Sequence, residues 1–170
     1  MPATNPKLYR LDHDVTTEQL LVELADTPDR LRDVVGQRAA DLAQPGVAGE
    51  WSPLEVVRHV RDVVQVYGMR FKWIILQDDP FLPDYDENSW VARSPDGLAD
   101  VDAMLSDIRA YRGETLRLLR SLGPEGWSRR GRHEVLGVVE LASYVRHQLA
   151  HEQQHLVQLR DALGAKPGVD

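Results

Sequence analysis

Tyr144-Val145-Arg146-His147-Gln148-Leu149-Ala150-His151-Glu152-Gln153-Gln154-His155-Leu156 is the stretch on which the reading of this chain turns. With Leu141 before it and Leu159 and Leu163 after it, its apolar residues recur at helical spacings, as on a helix with one buried face. On a wheel with Leu141 at zero, the apolar centre lies near about 30°. His155 falls about 70° from that centre, His151 about 110° and His147 about 150°. His147 is therefore expected to point to solvent, and His151 and His155 to sit at the edge of the buried face. These two are about 40° apart and one turn along, so both imidazoles can converge on one ion. His147 and His151 share the same spacing, and only their position on the wheel separates the two pairs.

Working outward, three more helices are legible. Ser52-Pro53-Leu54-Glu55 is a capping box with Pro at the first helical position, flanked by Trp51 and Val56 as a hydrophobic staple. Its helix runs through Val60, Val63, Val64, Tyr67, Phe71 and Ile75 to about Gln77. A first helical stretch spans roughly Thr17 to Leu42, with Thr27-Pro28 predicting a break near Asp26. A third covers about Asp100 to Leu122, stopped by Gly123-Pro124, and the last about Val138 to Leu163, closed by Gly164 and Pro167. Between the second and third lies a long irregular stretch, Asp79 to Gly97, holding Pro80, Pro83, Pro95, Phe81, Tyr85 and Trp90. Alternating strands are hard to find, so no sheet is expected. The pattern predicts an all-α, four-helix bundle with a long loop between helices 2 and 3. One domain spans residues 1–170, with an irregular segment at 1–16 and a tail at 164–170.

The composition agrees. The chain has 170 residues, 42% hydrophobic and 28% charged, which is enough for one self-sufficient core and excludes disorder. The formal charge of -7 argues against nucleic acid as a partner. No apolar run approaches the ~18 residues of a membrane span, and the first residues do not read as a secretory signal. A cytoplasmic protein is expected. There is no Cys, so thiolate sites, disulfides and Cys nucleophiles are excluded.

Any metal must then be held by His, Asp or Glu. Two histidines need a third ligand from another helix, and His59 is placed for it, at the boundary of its helix's apolar face. His13 and His133 are less constrained. Three imidazoles would leave a position open to water or substrate, and suit Zn, Ni, Fe or Cu. His151-Glu152-x-x-His155 also has the spacing of zinc proteases that use the Glu as general base. Those enzymes lay substrate along a sheet edge, and Glu152 falls near the middle of the apolar stripe. It is expected to turn inward and find a buried partner. Arg70 could meet a substrate carboxylate or pair with Asp84, Asp86 or Glu87. Trp90 and Tyr85 could close the cleft or pin the loop.

In combination the chain resembles the DinB/YfiT-like family of small helical metalloproteins. The resemblance rests on Trp51-Ser52-Pro53-x-Glu55-Val56-Val57-x-His59-Val60-x-Asp62 with Tyr67 and Arg70. It continues through Pro83-x-Tyr85-Asp86-Glu87-Asn88-x-Trp90 and His133-x-x-x-Gly137. His147-x-x-x-His151-x-x-x-His155-Leu156-x-Gln158-Leu159 completes it. It extends from about Leu31 to Leu163. It implies a four-helix bundle holding a divalent transition metal, Zn or Ni first and Fe, Cu or Mn next, through His59, His151 and His155, with His147 extra to the pattern. It also implies a small-molecule substrate, such as a low-molecular-weight thiol, in a thiol S-transferase or hydrolase; some members are damage-inducible proteins without known activity. A second copy of the chain is a candidate partner; nucleic acid and membrane are not.

Overall fold

The computed structural model describes residues 9–11, 14–36, 42, 44, 46, 50–94 and 100–164. In chain order it has α1 (Thr17–Gly36), α2 (Pro53–Leu76), β1 (Phe81–Leu82), α3 (Glu87–Arg93) and α4 (Val101–Arg120). These are followed by α5 (Pro124–Trp127), β2 (Arg130–His133), β3 (Gly137–Glu140) and α6 (Leu141–Gly164). The four long helices form the bundle. Its principal packings are α1 and α2 each against α4 and α6, so α1 lies diagonally across from α2, and α4 from α6. His13 lies outside the described residues, as do Pro95, Gly97 and Pro167.

The cap of α2 is as the sequence predicts. Ser52 Oγ accepts from the Glu55 N–H at 3.3 Å, and Glu55 Oε2 accepts from the Ser52 N–H at 2.7 Å. That reciprocal pair fixes where α2 begins, and so where His59 lies two turns later.

The predicted break near Asp26 is not there: α1 runs unbroken with Pro28 buried inside it. Thr27 Oγ1 turns back to Glu23 O at 3.2 Å, and Leu20, Leu24, Leu31 and Val35 anchor the helix on both sides of the proline. That packing outweighs the ~3 kcal/mol an internal proline costs. The helix is described over Thr17–Gly36, and Leu42, where the sequence reading ends it, lies in a turn.

The expectation of no sheet is also corrected. β1 pairs parallel with β2, and β2 antiparallel with β3, in a small three-stranded sheet. The strands have only two to four residues, too short for an alternating pattern to stand out. Gly137, at φ +74°, makes the turn before β3, a conformation that only glycine adopts without strain. Gly131 on β2 lets the sheet approach α2: a Cβ there would stand 3.0 Å from Ile74 and 3.2 Å from Leu82. The long loop after α2 thus supplies β1 and α3.

The bundle holds two apolar clusters. One gathers Leu20, Leu24, Phe71, Leu116, Leu119 and Leu149. The other gathers Leu31, Val57, Leu105, Ile108, Leu156 and Leu159. The boundary falls at one level, between Leu24 and Leu31 on α1, Ile108 and Leu116 on α4, and Leu149 and Leu156 on α6. A buried polar layer occupies that level: Thr27, Arg112, Thr115 and Glu152, with Gln148 one turn before Glu152.

Candidate metal centre

His59 comes from α2, and His151 and His155 from α6, the two helices that pack side by side. One ring nitrogen of each lies within 4.8 Å of the others. His151 Nε2 and His155 Nε2 face each other at 2.9 Å. His155 Nδ1 lies 2.8 Å from Gln158 Oε1, which can only accept, so Nδ1 carries the proton and Nε2 presents a lone pair. His59 Nε2 and His151 Nδ1 are buried with no hydrogen-bond partner in the protein. The Trp51 ring lies 4.7 Å from that of His59 and is stacked 6.0 Å from that of His155. The indole therefore covers the triad as well as flanking the cap.

The electrostatics keep these rings neutral. Burial and the neighbouring His155 lower His59 to about 3. Burial, followed by His155, His59 and His147, lowers His151 to about 2. Burial also lowers His155, against the pull of its bond to Gln158. Neutral imidazole is the form that ligates a metal.

His147 does not point to solvent. It is 4% exposed, and its Nδ1 accepts from the Tyr9 N–H at 2.8 Å. Burial lowers it to about 4. The Tyr9 ring stacks on His147 at 5.2 Å and on His151 at 4.9 Å. The wheel failed here because the buried arc of α6 is wider than its apolar arc. Tyr144, His147, Gln148, His151 and Glu152 are all buried. Tyr9, from a segment before α1 with no helical signal of its own, covers His147 and His151, while Arg112 of α4 meets Glu152 and Arg70 of α2 meets Tyr144.

Glu152 turns inward as expected. It is fully buried, with Arg112 Nη2 donating to both its oxygens and Gln148 Nε2 donating to Oε1 at 2.7 Å. Burial pushes its carboxyl up while Arg112 and Gln148 pull it down. A carboxylate tied up in this way does not face the triad, and the HExxH spacing has no protease geometry behind it.

Arg70 is buried and serves the long loop. It donates to Tyr144 Oη at 3.0 Å and to Pro83 O, lies 3.6 Å from Asp84, and sits over the rings of Tyr67 and Tyr85. Its partner among the three loop carboxylates is Asp84, and no substrate role is needed to account for it. Tyr85 and Trp90 pack on each other at 4.7 Å within the loop, and Arg70 over the Tyr85 ring ties that pair to α2. His133 is buried, with Nδ1 accepting from Val135 N and Leu136 N, and is not among the three converging histidines.

The carboxylate that does approach the triad is Glu87, with Oε2 3.7 Å from His59 Nε2. Burial and the nearby Asp84 and Asp86 push its carboxyl up. In the sequence Glu87 stands as a candidate partner for Arg70 and within the Pro83-to-Trp90 segment, with no link to the histidines. The signal was its place in the Pro83-to-Trp90 segment, but helical spacing cannot relate a loop residue to a histidine on α2.

The model of the DinB superfamily matches residues 19–159, most of the chain. The chain belongs to the DinB superfamily. A protein of Bacillus mycoides (strain KBAB4) named "Putative metal-dependent hydrolase" is 28% identical over 151 residues, 86% of each chain. One of Oceanobacillus iheyensis with the same description is 24% identical over 155 residues, 89% of this chain and 90% of that one. The structure of YfiT from Bacillus subtilis superposes with a TM-score of 0.81 at 22% identity, over 94% of this chain and 95% of that one. YfiT is described as a "probable metal-dependent hydrolase with an unusual four-helix bundle topology". The likeness to YfiT agrees with the four-helix bundle described above. Among the described residues, no helix is long and apolar enough to cross a membrane.

Proposed function

We propose that this DinB-superfamily protein is a divalent-metal-dependent enzyme of the hydrolase type, with His59, His151 and His155 as ligands. One observation carries the reading: three neutral imidazoles from two helices bring nitrogens within 4.8 Å, two of those rings having a buried nitrogen without a partner. Leaving such atoms unpaired costs roughly 1–3 kcal/mol each. A cation taking up His59 Nε2 removes one of those costs. The facing Nε2 atoms of His151 and His155 call for a proton or a cation between them. The names of the relatives support the same reading.

The chain's own residues divide the work. His59, His151 and His155 hold the ion as neutral donors, and Gln158 orients His155. Trp51 and Tyr9 wall the rings and limit water. When bound, a divalent ion supplies Lewis acidity and makes a water or thiol nucleophilic near neutral pH. The donor set suits Zn or Ni, and also Fe, Cu or Mn. With no Cys in the chain, sulfur would have to come from a small thiol substrate, which gives the thiol S-transferase form of the same chemistry.

The test is activity of tag-free protein, stripped of metal and reconstituted, on a panel of activated esters and amides, and on electrophiles with small thiols. Turnover that needs the ion and water alone supports the hydrolase. Turnover that needs the ion and a thiol supports the transferase. No ion-dependent turnover in either panel, with the ion bound, would leave a metal-binding protein without this catalysis.

A further inference from the structure

Glu87 approaches the triad but has no part in the three-histidine reading above. It is the first residue of α3, whose start is fixed by Asp86: the Asp86 side chain accepts from Ser89 N at 3.0 Å and from Ser89 Oγ at 2.7 Å. α3 packs on α2, the helix of His59. Glu87 Oε2 therefore arrives 3.7 Å from His59 Nε2, an atom that is buried, on a side chain only 1% exposed, and without a hydrogen-bond partner. At 3.7 Å the two atoms do not hydrogen-bond. Among the described residues, no Lys or Arg forms an ion pair with Glu87.

We propose that Glu87 is a fourth protein ligand, its carboxylate joining His59, His151 and His155 on one divalent ion. This rests on the three-histidine reading above and deepens it. Two donors that share an ion at ~2.1 Å each must stand within ~4 Å of one another, and the Glu87–His59 pair meets that limit. Glu87 lies outside the group of nitrogens that stand within 4.8 Å of one another, and its side chain, 46% exposed against 1% for His59, must rotate to bring the carboxylate to His151 and His155. Three neutral imidazoles leave the full double charge of the ion in a buried niche. One carboxylate halves it, and adds the hard oxygen donor that Mn and Fe favour. The long loop after α2 then has a chemical role, because α3 delivers the only carboxylate that approaches the triad among the described residues.

The experiment measures cobalt binding by tag-free, metal-stripped full-length protein, by competition with a chromophoric chelator and by the visible absorption of the bound ion. Glu87→Gln should keep one ion per chain but bind it at least roughly tenfold more weakly, with the visible bands shifted. Asp84→Asn, which removes the same charge from the same loop, should leave both unchanged. Unchanged affinity and bands in Glu87→Gln would overturn the proposal, and so would an equal weakening in Asp84→Asn with bands unmoved in both. His59→Ala serves as the reference. If it loses the ion while Glu87→Gln does not, only the fourth ligand fails. If it too keeps the ion, the three-histidine reading fails.

Discussion

Arg112 on α4 reaches across the diagonal of the bundle and holds Glu152 on α6 through both carboxylate oxygens, at 2.5 and 2.6 Å. The residue beside Glu152 in the chain, His151, faces His155 and His59 instead. Adjacent residues on α6 thus serve separate purposes: one closes a polar layer between two apolar clusters, and the other faces α2 at the triad. Arg112 Nε, Arg112 Nη1 and Gln148 Oε1 have no partner within the protein.

Such a pair is costly to break and cheap to replace. Arg112→Met or Glu152→Leu alone leaves an uncompensated buried charge and should lose about 3–5 kcal/mol of stability. The double variant should recover most of that loss. Urea midpoints of the four proteins form the cycle. Losses that simply add would contradict the coupling.

Glu152→Gln should bind metal with wild-type stoichiometry and keep nearly all of any metal-dependent activity. A positioned general base contributes typically ~10²–10⁴-fold, so the comparison is decisive in a rate assay. A loss of that size with metal content intact would restore the protease-like role.

Much of this was legible in the sequence, for reasons that particular residues show. The capping box at Ser52 and Glu55 is local chemistry, and it sets the phase of α2 and therefore of His59. The i, i+4 spacing of His151 and His155 is also local, as is the inward turn of Glu152. What could not be read involves contacts between distant segments. Tyr9 reaches His147 across 138 positions, and Glu87 reaches His59 from a different element, so no periodicity relates either pair. Strands of two to four residues carry too little pattern to detect, and Pro28 survives in α1 only because tertiary packing holds it there.

The metal-free protein should be sensitive to mild acid. His59, His147 and His151 are held neutral when folded, at about 3, about 4 and about 2, against 6.5 in the unfolded chain. As pH falls through 6.5 the unfolded chain takes up protons that the folded chain refuses, so stability is lost; above pH 7 these groups contribute no dependence. Each costs roughly 1 kcal/mol per pH unit below that point. Urea midpoints of metal-stripped protein between pH 7.5 and 5.5 should fall. A flat profile would mean that the imidazoles are not buried neutral.

Gln158 sets the orientation of His155, so Gln158→Met should weaken metal binding by about 10–100-fold while leaving one site per chain. Chelator competition measures it. Unchanged affinity would remove Gln158 from the centre and leave the tautomer of His155 unassigned.

The most direct test of the central claim is a zinc titration of tag-free, metal-stripped protein, by calorimetry, on wild type and on His59→Ala, His151→Ala, His155→Ala and His147→Ala. The predicted result is one tight site per chain in wild type and in His147→Ala, lost in each of the other three. A wild-type protein with no saturable site, or a site that survives all three triad substitutions, would contradict it.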